Sequence, residues 1–130
     1  MTFRPILLTA IVVGMAVSSC AAKESKTAES APGTPGAQVT VNATDTECVL
    51  SAGGGGTGAT TFVVTNNGTK ATEFYVYDKA GGVLEEVENI SPGLKRELTV
   101  EFKDAGTYKV ACKPGMVGDG IRSDFTVKAG

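Results

Sequence analysis

The stretch GTYKVACKPGM (Gly106–Met116) alternates its side chains at period two. Tyr108, Val110 and Cys112 fall on one face, and Lys109 and Ala111 on the other, the pattern of a strand with one side buried. The same alternation recurs outward along the chain. AQVTVNA, TTFVVTN, ATEFYVYD, GGVLEEVENI, LKRELTVEF and IRSDFTVKA each read as a short strand. NNG and GG supply turns between them. ATEFYVYD sets Phe74 and Val76 against Glu73, Tyr75 and Tyr77, and LKRELTVEF carries Leu98, Val100 and Phe102 at period two. About seven or eight strands in roughly 94 residues, with no long helical period, predict an all-β antiparallel sandwich. SAGGGGTG (Ser51–Gly58) reads as a flexible connection, because no helix start follows it to make a phosphate loop.

Of the 130 residues, the first 36 do not share this pattern. MTFRPILLTAIVVGMAVSSC opens with Arg4 and an apolar run from Ile6 to Val17, too short for a dedicated membrane span. Small residues then precede Cys20. The arrangement resembles a lipobox, so residues 1–19 are expected to be a lipoprotein signal peptide and Cys20 the lipidated residue. Ala21–Gly36 is rich in Ala, Ser, Thr, Pro and Gly and reads, with Cys20, as a lipid-anchored flexible linker. The folded domain is then 37–130, displayed at a bacterial cell envelope on its extracytoplasmic face. With 12 basic and 14 acidic residues in the chain and no basic cluster, nucleic acid is not an expected partner. Export leaves Cys48 and Cys112 as an even pair in an oxidising compartment.

AGTYKVACKPGMVGDGIRSDFTVKAG (Ala105–Gly130) resembles the last strand, ligand loop and closing strand of cupredoxins. The resemblance implies a cupredoxin-like Greek-key sandwich. In the blue-copper members of that family, a cysteine at the strand end is followed by a histidine and a methionine. Here Gly115 stands at the histidine position and Met116 comes early. A blue-copper centre needs a thiolate and two imidazoles. The chain has no histidine, so it cannot build one.

ATEFYVYDKAGGVLEEVENISPGLKRELTVEFKDAGTYKVAC (Ala71–Cys112) resembles more closely the cupredoxin-like domain of the EfeO type of periplasmic iron-uptake component. DTECVL supplies the upstream cysteine, Cys48, and the similarity runs from about Val39 to Gly130. This resemblance implies metal handling in iron uptake or delivery, with copper or iron as the ion and Cys48, Glu73 and Cys112 as ligands. It also implies an iron permease or a peroxidase as partner. Many members carry a helical metallopeptidase-like domain with an HxxE motif; a chain without histidine has no counterpart, so a stand-alone form is expected.

Two readings of the sulfurs stay open. As a disulfide, Cys48 and Cys112 would close a loop across a separation of 64 positions. As thiolates, with Met116 as thioether, they would suit Cu(I). Glu85, Glu86 and Glu88 are a second, weaker set of hard oxygen donors for iron or calcium. Without histidine, Ser-His-Asp and Cys-His mechanisms are excluded, and the two cysteines form no CxxC motif, so no enzyme is expected. The alternative to metal handling is a metal-free, disulfide-stabilised interaction module of the envelope. DAGTYKVAC also echoes the tyrosine corner of immunoglobulin-like domains. There, however, the cysteine follows the tyrosine by two positions and a buried tryptophan is present, and this chain has no tryptophan.

Overall fold

A computed structural model describes residues 36–130. The expected signal peptide (residues 1–19), the expected lipidation site Cys20 and all of the expected linker but Gly36 lie outside the described residues. Nine strands form two sheets. They are β1 (Ala37–Ala43), β2 (Cys48–Leu50), β3 (Gly54–Gly56), β4 (Gly58–Asn66), β5 (Thr72–Tyr77), β6 (Val83–Ile90), β7 (Lys95–Phe102), β8 (Gly106–Cys112) and β9 (Ile121–Lys128). One sheet has the order β2-β1-β4-β7 and the other β3-β9-β8-β5-β6.

The seven longer strands fall where alternation placed them. Val39 and Val41, Phe62 and Val64, Phe74 and Val76, Val100 and Phe102, Tyr108 and Val110, and Phe125 and Val127 all point between the sheets and are buried. Phe62 anchors this core, with ring centroids 5.3 Å from Phe74 and 5.2 Å from Phe125. Burying such side chains contributes roughly 1.5–3 kcal/mol each. Tyr108 donates its hydroxyl to the Asp104 carbonyl at 2.8 Å, so the corner suggested by DAGTYKVAC does form. It needs neither the two-residue spacing nor the tryptophan of an immunoglobulin domain.

Two features differ from the expected antiparallel arrangement. β1 pairs with β4 in parallel, and β3 pairs with β9 in parallel. Both follow from the glycine-rich stretch, which is not a slack connection. After β2 the chain leaves the first sheet, runs as β3 along the edge of the second, and returns as β4 beside β1. Glycine is required for this passage. A Cβ on Gly54 would stand 2.2 Å from the Thr126 carbonyl oxygen, so only a bare backbone can lie against β9 there. Sequence alternation missed β2 and β3 because three-residue strands, one of them all glycine, carry no period.

Candidate functional site at the bridged end of the sandwich

Cys48 opens β2 at the edge of the first sheet, and Cys112 closes β8 in the second. Their sulfurs are joined in a disulfide, with Cα atoms 5.6 Å apart. Cys112 is fully buried in the core and Cys48 is half-buried against it. The bridge ties the two sheets at one end of the sandwich.

Glu73 lies elsewhere. In the β5–β8 register Phe74 stands opposite Cys112, so those two side chains share the inward face. Glu73 is the preceding residue and points to the outer face. Only its carbonyl faces β8, where it accepts the Lys113 amide hydrogen at 2.9 Å. The structure brings the two sulfurs together and sets the Glu73 carboxylate on the other side of the sheet. Met116 ends a short 3₁₀ turn (Pro114–Met116) and is 40% exposed. Gly115 within that turn has φ 74°, in the left-handed region that favours glycine, and its amide donates to the Ala71 carbonyl at 2.7 Å.

The glutamates of β6 divide in the same way. Tyr75 stands opposite Glu86, and Val76 opposite Glu85. Glu86 and Glu88 share the outer face with Tyr75, while Glu85 points the other way. The Tyr75 hydroxyl donates to Glu88 Oε1 at 3.3 Å, with the Glu86 carboxylate also within its reach. Burial, that hydrogen bonding and the nearby charges of Glu73, Glu86 and Glu88 hold the phenol well above its ordinary pKa. Among the described residues, no three His, Cys, Asp or Glu side chains converge as a metal-binding group.

Sequence reasoning missed the polar network behind the bridge. Asn66 is buried; its amide donates to the Lys70 and Ile90 carbonyls at 2.8 and 2.7 Å and accepts from the Gly68 amide at 2.9 Å. Asp45 accepts the Thr69 amide at 2.9 Å and the Lys70 amide at 3.3 Å, and also takes the Thr69 hydroxyl. These bonds hold its carboxyl below the ordinary value. The loops after β1 and β4 are thereby pinned together beside Cys48. The turn-forming Asn, Asp and Thr of TDTE and NNGTK were the available signal.

The family model for the cupredoxin-like domain matches residues 7–127. The chain belongs to the cupredoxin-like family. Solved structures agree on the fold. Auracyanin B is 14% identical, with a TM-score of 0.60 over 75% of this chain and 93% of that one. Dithionite-reduced auracyanin from Roseiflexus castenholzii is also 14% identical, with a TM-score of 0.56 over 72% and 99% of the two chains. Auracyanin A from Chloroflexus aurantiacus, described as a "blue" copper protein, is 13% identical, with a TM-score of 0.51 over 70% and 99%. No curated protein matches the sequence.

This cupredoxin-like chain does not carry a donor set for blue copper. Histidine is missing from the whole sequence, and the sulfur at the end of β8 is bonded to another sulfur. A disulfide offers no thiolate, and thiolate is the form that ligates.

Proposed function

We propose that the protein is a cupredoxin-like module of the bacterial envelope, lipid-anchored through Cys20, that acts by binding other proteins and not by holding a metal or catalysing a reaction. The Cys48–Cys112 bridge carries this reading: it occupies the two sulfurs that a soft metal would need and fixes the end of the sandwich where they lie. The likeness to the EfeO-type domain supports a setting in iron uptake or delivery, with an iron permease or a peroxidase as the protein served.

A second reading rests on the placement of Met116. It is exposed, four positions from Cys112, and so belongs to the loop beside the bridge. If the bridge is opened, two thiolates and a thioether form a donor set for Cu(I) at this end, in keeping with copper or iron handling.

One pair of measurements on the full chain separates the two. Thiol counting on protein taken from the envelope without reductant is expected to find neither Cys48 nor Cys112 free. Titration of the oxidised chain, as isolated, with Cu(I), Cu(II) and Fe(III) is expected to show no binding tighter than that of a Cys48→Ser/Cys112→Ser variant. Free thiols in the isolated protein, together with Cu(I) binding that the variant loses, would overturn the metal-free reading and establish the second.

A further inference from the structure

β3 is the outermost strand of its sheet, and its free side is a row of unpaired backbone groups. The Thr126 amide donates to the Gly53 carbonyl at 2.9 Å, and the Thr57 amide to the Lys128 carbonyl at 3.0 Å. Residues 53, 55 and 57 therefore turn their polar groups to β9. In the parallel register Gly54 is level with Thr126 and Gly56 with Lys128, so the amides and carbonyls of Gly54 and Gly56 turn the other way. Among the described residues no strand lies on that side, and neither glycine finds another backbone partner there. Natural sheets blunt such an edge with charge or proline. β6 and β7 are edges too, and they carry Glu85, Glu86 and Glu88, and Lys95, Arg96 and Glu97. β3 carries no side chain at all.

The fold accounts for only one of the four glycines at 53–56. A Cβ on Gly54 would collide with the Thr126 carbonyl. One on Gly53 would meet nothing within 4 Å, one on Gly56 only the Lys128 carbonyl oxygen at 3.9 Å, and one on Gly55 ordinary contacts from 3.6 Å. None of the four has a left-handed φ. At 55 a hydroxyl would even help. The buried Thr60 hydroxyl, without a partner among the described residues, stands 3.6 Å from that Cβ position. Glycine weakens a strand interior, and its use there is to let another backbone or a ligand approach closely. On the outer face the missing side chains leave a hollow of about 610 Å³ along Ala52, the glycines, Thr126 and Lys128. Lys128 is the one charged side chain lining it and pairs with no carboxylate among the described residues, while Asp124, further along β9, is held by Lys109.

We infer that an extended segment of a partner protein adds to this edge as a further strand, with an Asp or Glu side chain of that segment lying in the hollow against Lys128. The occupant is a polypeptide for two reasons. The free donors and acceptors recur at residues 54 and 56, roughly 7 Å apart, which is the spacing a neighbouring strand satisfies. No polar side chains converge there to orient a small molecule. Charge selects a different protein over a second copy, whose own β3 edge would bring another Lys128 and no carboxylate to the contact. Main-chain bonds then supply the affinity and the carboxylate the selectivity. The inference deepens the interaction-module reading and rests on it for its use. A metal found on the two sulfurs would remove that reading and leave the edge untouched, whereas an edge that takes no strand leaves the bridge as it is.

Amide exchange with water, read by NMR on the 15N-labelled, oxidised full chain in detergent, tests this. The probe is the acetylated and amidated peptide Thr-Val-Thr-Glu-Thr-Val-Thr, with a counterpart carrying Lys in place of Glu, each at about 1 mM. The Glu peptide is expected to slow the Gly54 and Gly56 amides at least roughly twofold, the factor for half occupancy. The Gly55 amide, already turned to β9, should not change. The Lys peptide should act more weakly, and Lys128→Glu, at an exposed position, should invert that preference. Gly56→Pro removes an outward N–H that no backbone group of the described chain uses, so it should weaken the slowing at Gly54 at least roughly tenfold without lowering the urea midpoint. Should that variant not fold, the Lys128→Glu comparison decides the matter. Equal action of the two peptides, or no slowing by either, overturns the proposal. So do Gly54 and Gly56 amides that are as slow as Gly55 in the free chain. Slow exchange at every concentration would put a segment of the chain itself on the edge, and slow exchange at high concentration alone would put a second copy there.

Discussion

Replacing both bridge cysteines by alanine is expected to remove a large part of the stability of the domain. The bridge spans a sequence separation of 64. In the chain-entropy treatment a closed loop of that length restricts the unfolded ensemble by roughly 14 cal/mol/K, or about 4 kcal/mol at room temperature. Alanine is the substitution of choice because Cys112 is fully buried, and a serine there would add the cost of an unpaired hydroxyl. Domains of this size have about 5–15 kcal/mol in all. The Cys48→Ala/Cys112→Ala chain should therefore retain a folded state but melt about 20 °C lower.

Urea unfolding of the full chain, with and without reductant, provides the assay. The double variant and the reduced wild type are expected to lose similar amounts, and reductant should leave the variant unchanged. A loss below about 1 kcal/mol would refute the reasoning, since it would mean that the unfolded chain is not restricted by the link. A wild type that reductant leaves unaffected while its thiols titrate as free would refute it from the other side.

Three further outcomes are expected. Gly54→Ala should destabilise the domain by more than 1 kcal/mol, because its Cβ meets the Thr126 carbonyl oxygen at 2.2 Å; Gly55→Ala, whose nearest neighbours lie at 3.6 Å, should be neutral or stabilising, and urea midpoints compare them. Thr60→Val should stabilise by roughly 1 kcal/mol in the same assay, since the Thr60 hydroxyl is fully buried without a hydrogen-bond partner among the described residues and valine keeps the shape. Asp45 is held below its ordinary pKa of 3.8 by its bonds to Thr69 and Lys70, so the unfolded chain takes up that proton first. Its contribution is present above about pH 4 and is lost as the pH falls through the lower folded value; Asp45→Ala should therefore show a shallower acid limb in a pH series of melting temperatures.

The fold was legible because its strands report a half-buried face through alternation. Phe74 and Val76 against Tyr75 and Tyr77, or Leu98, Val100 and Phe102 along β7, could be placed from the sequence alone. Contacts made by backbone were not legible. β3 exists because glycine can approach β9 closely, and nothing in a run of glycines distinguishes that need from slackness. The site was partly legible for a related reason. Parity along β5 already set Glu73 opposite to Phe74. What parity could not supply was the β5–β8 register, which places Phe74 beside Cys112 and so removes Glu73 from the sulfurs. Parity also separates Glu85 from Glu86 and Glu88, which a tally of acidic residues groups together.

The bridge bears on where this domain can act. A metal held by Cys48 and Cys112 would tie β2 to the end of β8 only while it was bound, and its loss would loosen that end. The disulfide makes the same tie covalently. Its inner sulfur, on Cys112, is buried among core side chains, where a departing thiolate would be poorly solvated. Attack is therefore confined to the Cys48 side and opposed by the environment of the leaving group. The loops around the bridge are fixed further by the Asn66 and Asp45 hydrogen bonds. An end built in this way is a rigid mount and a poor exchange site.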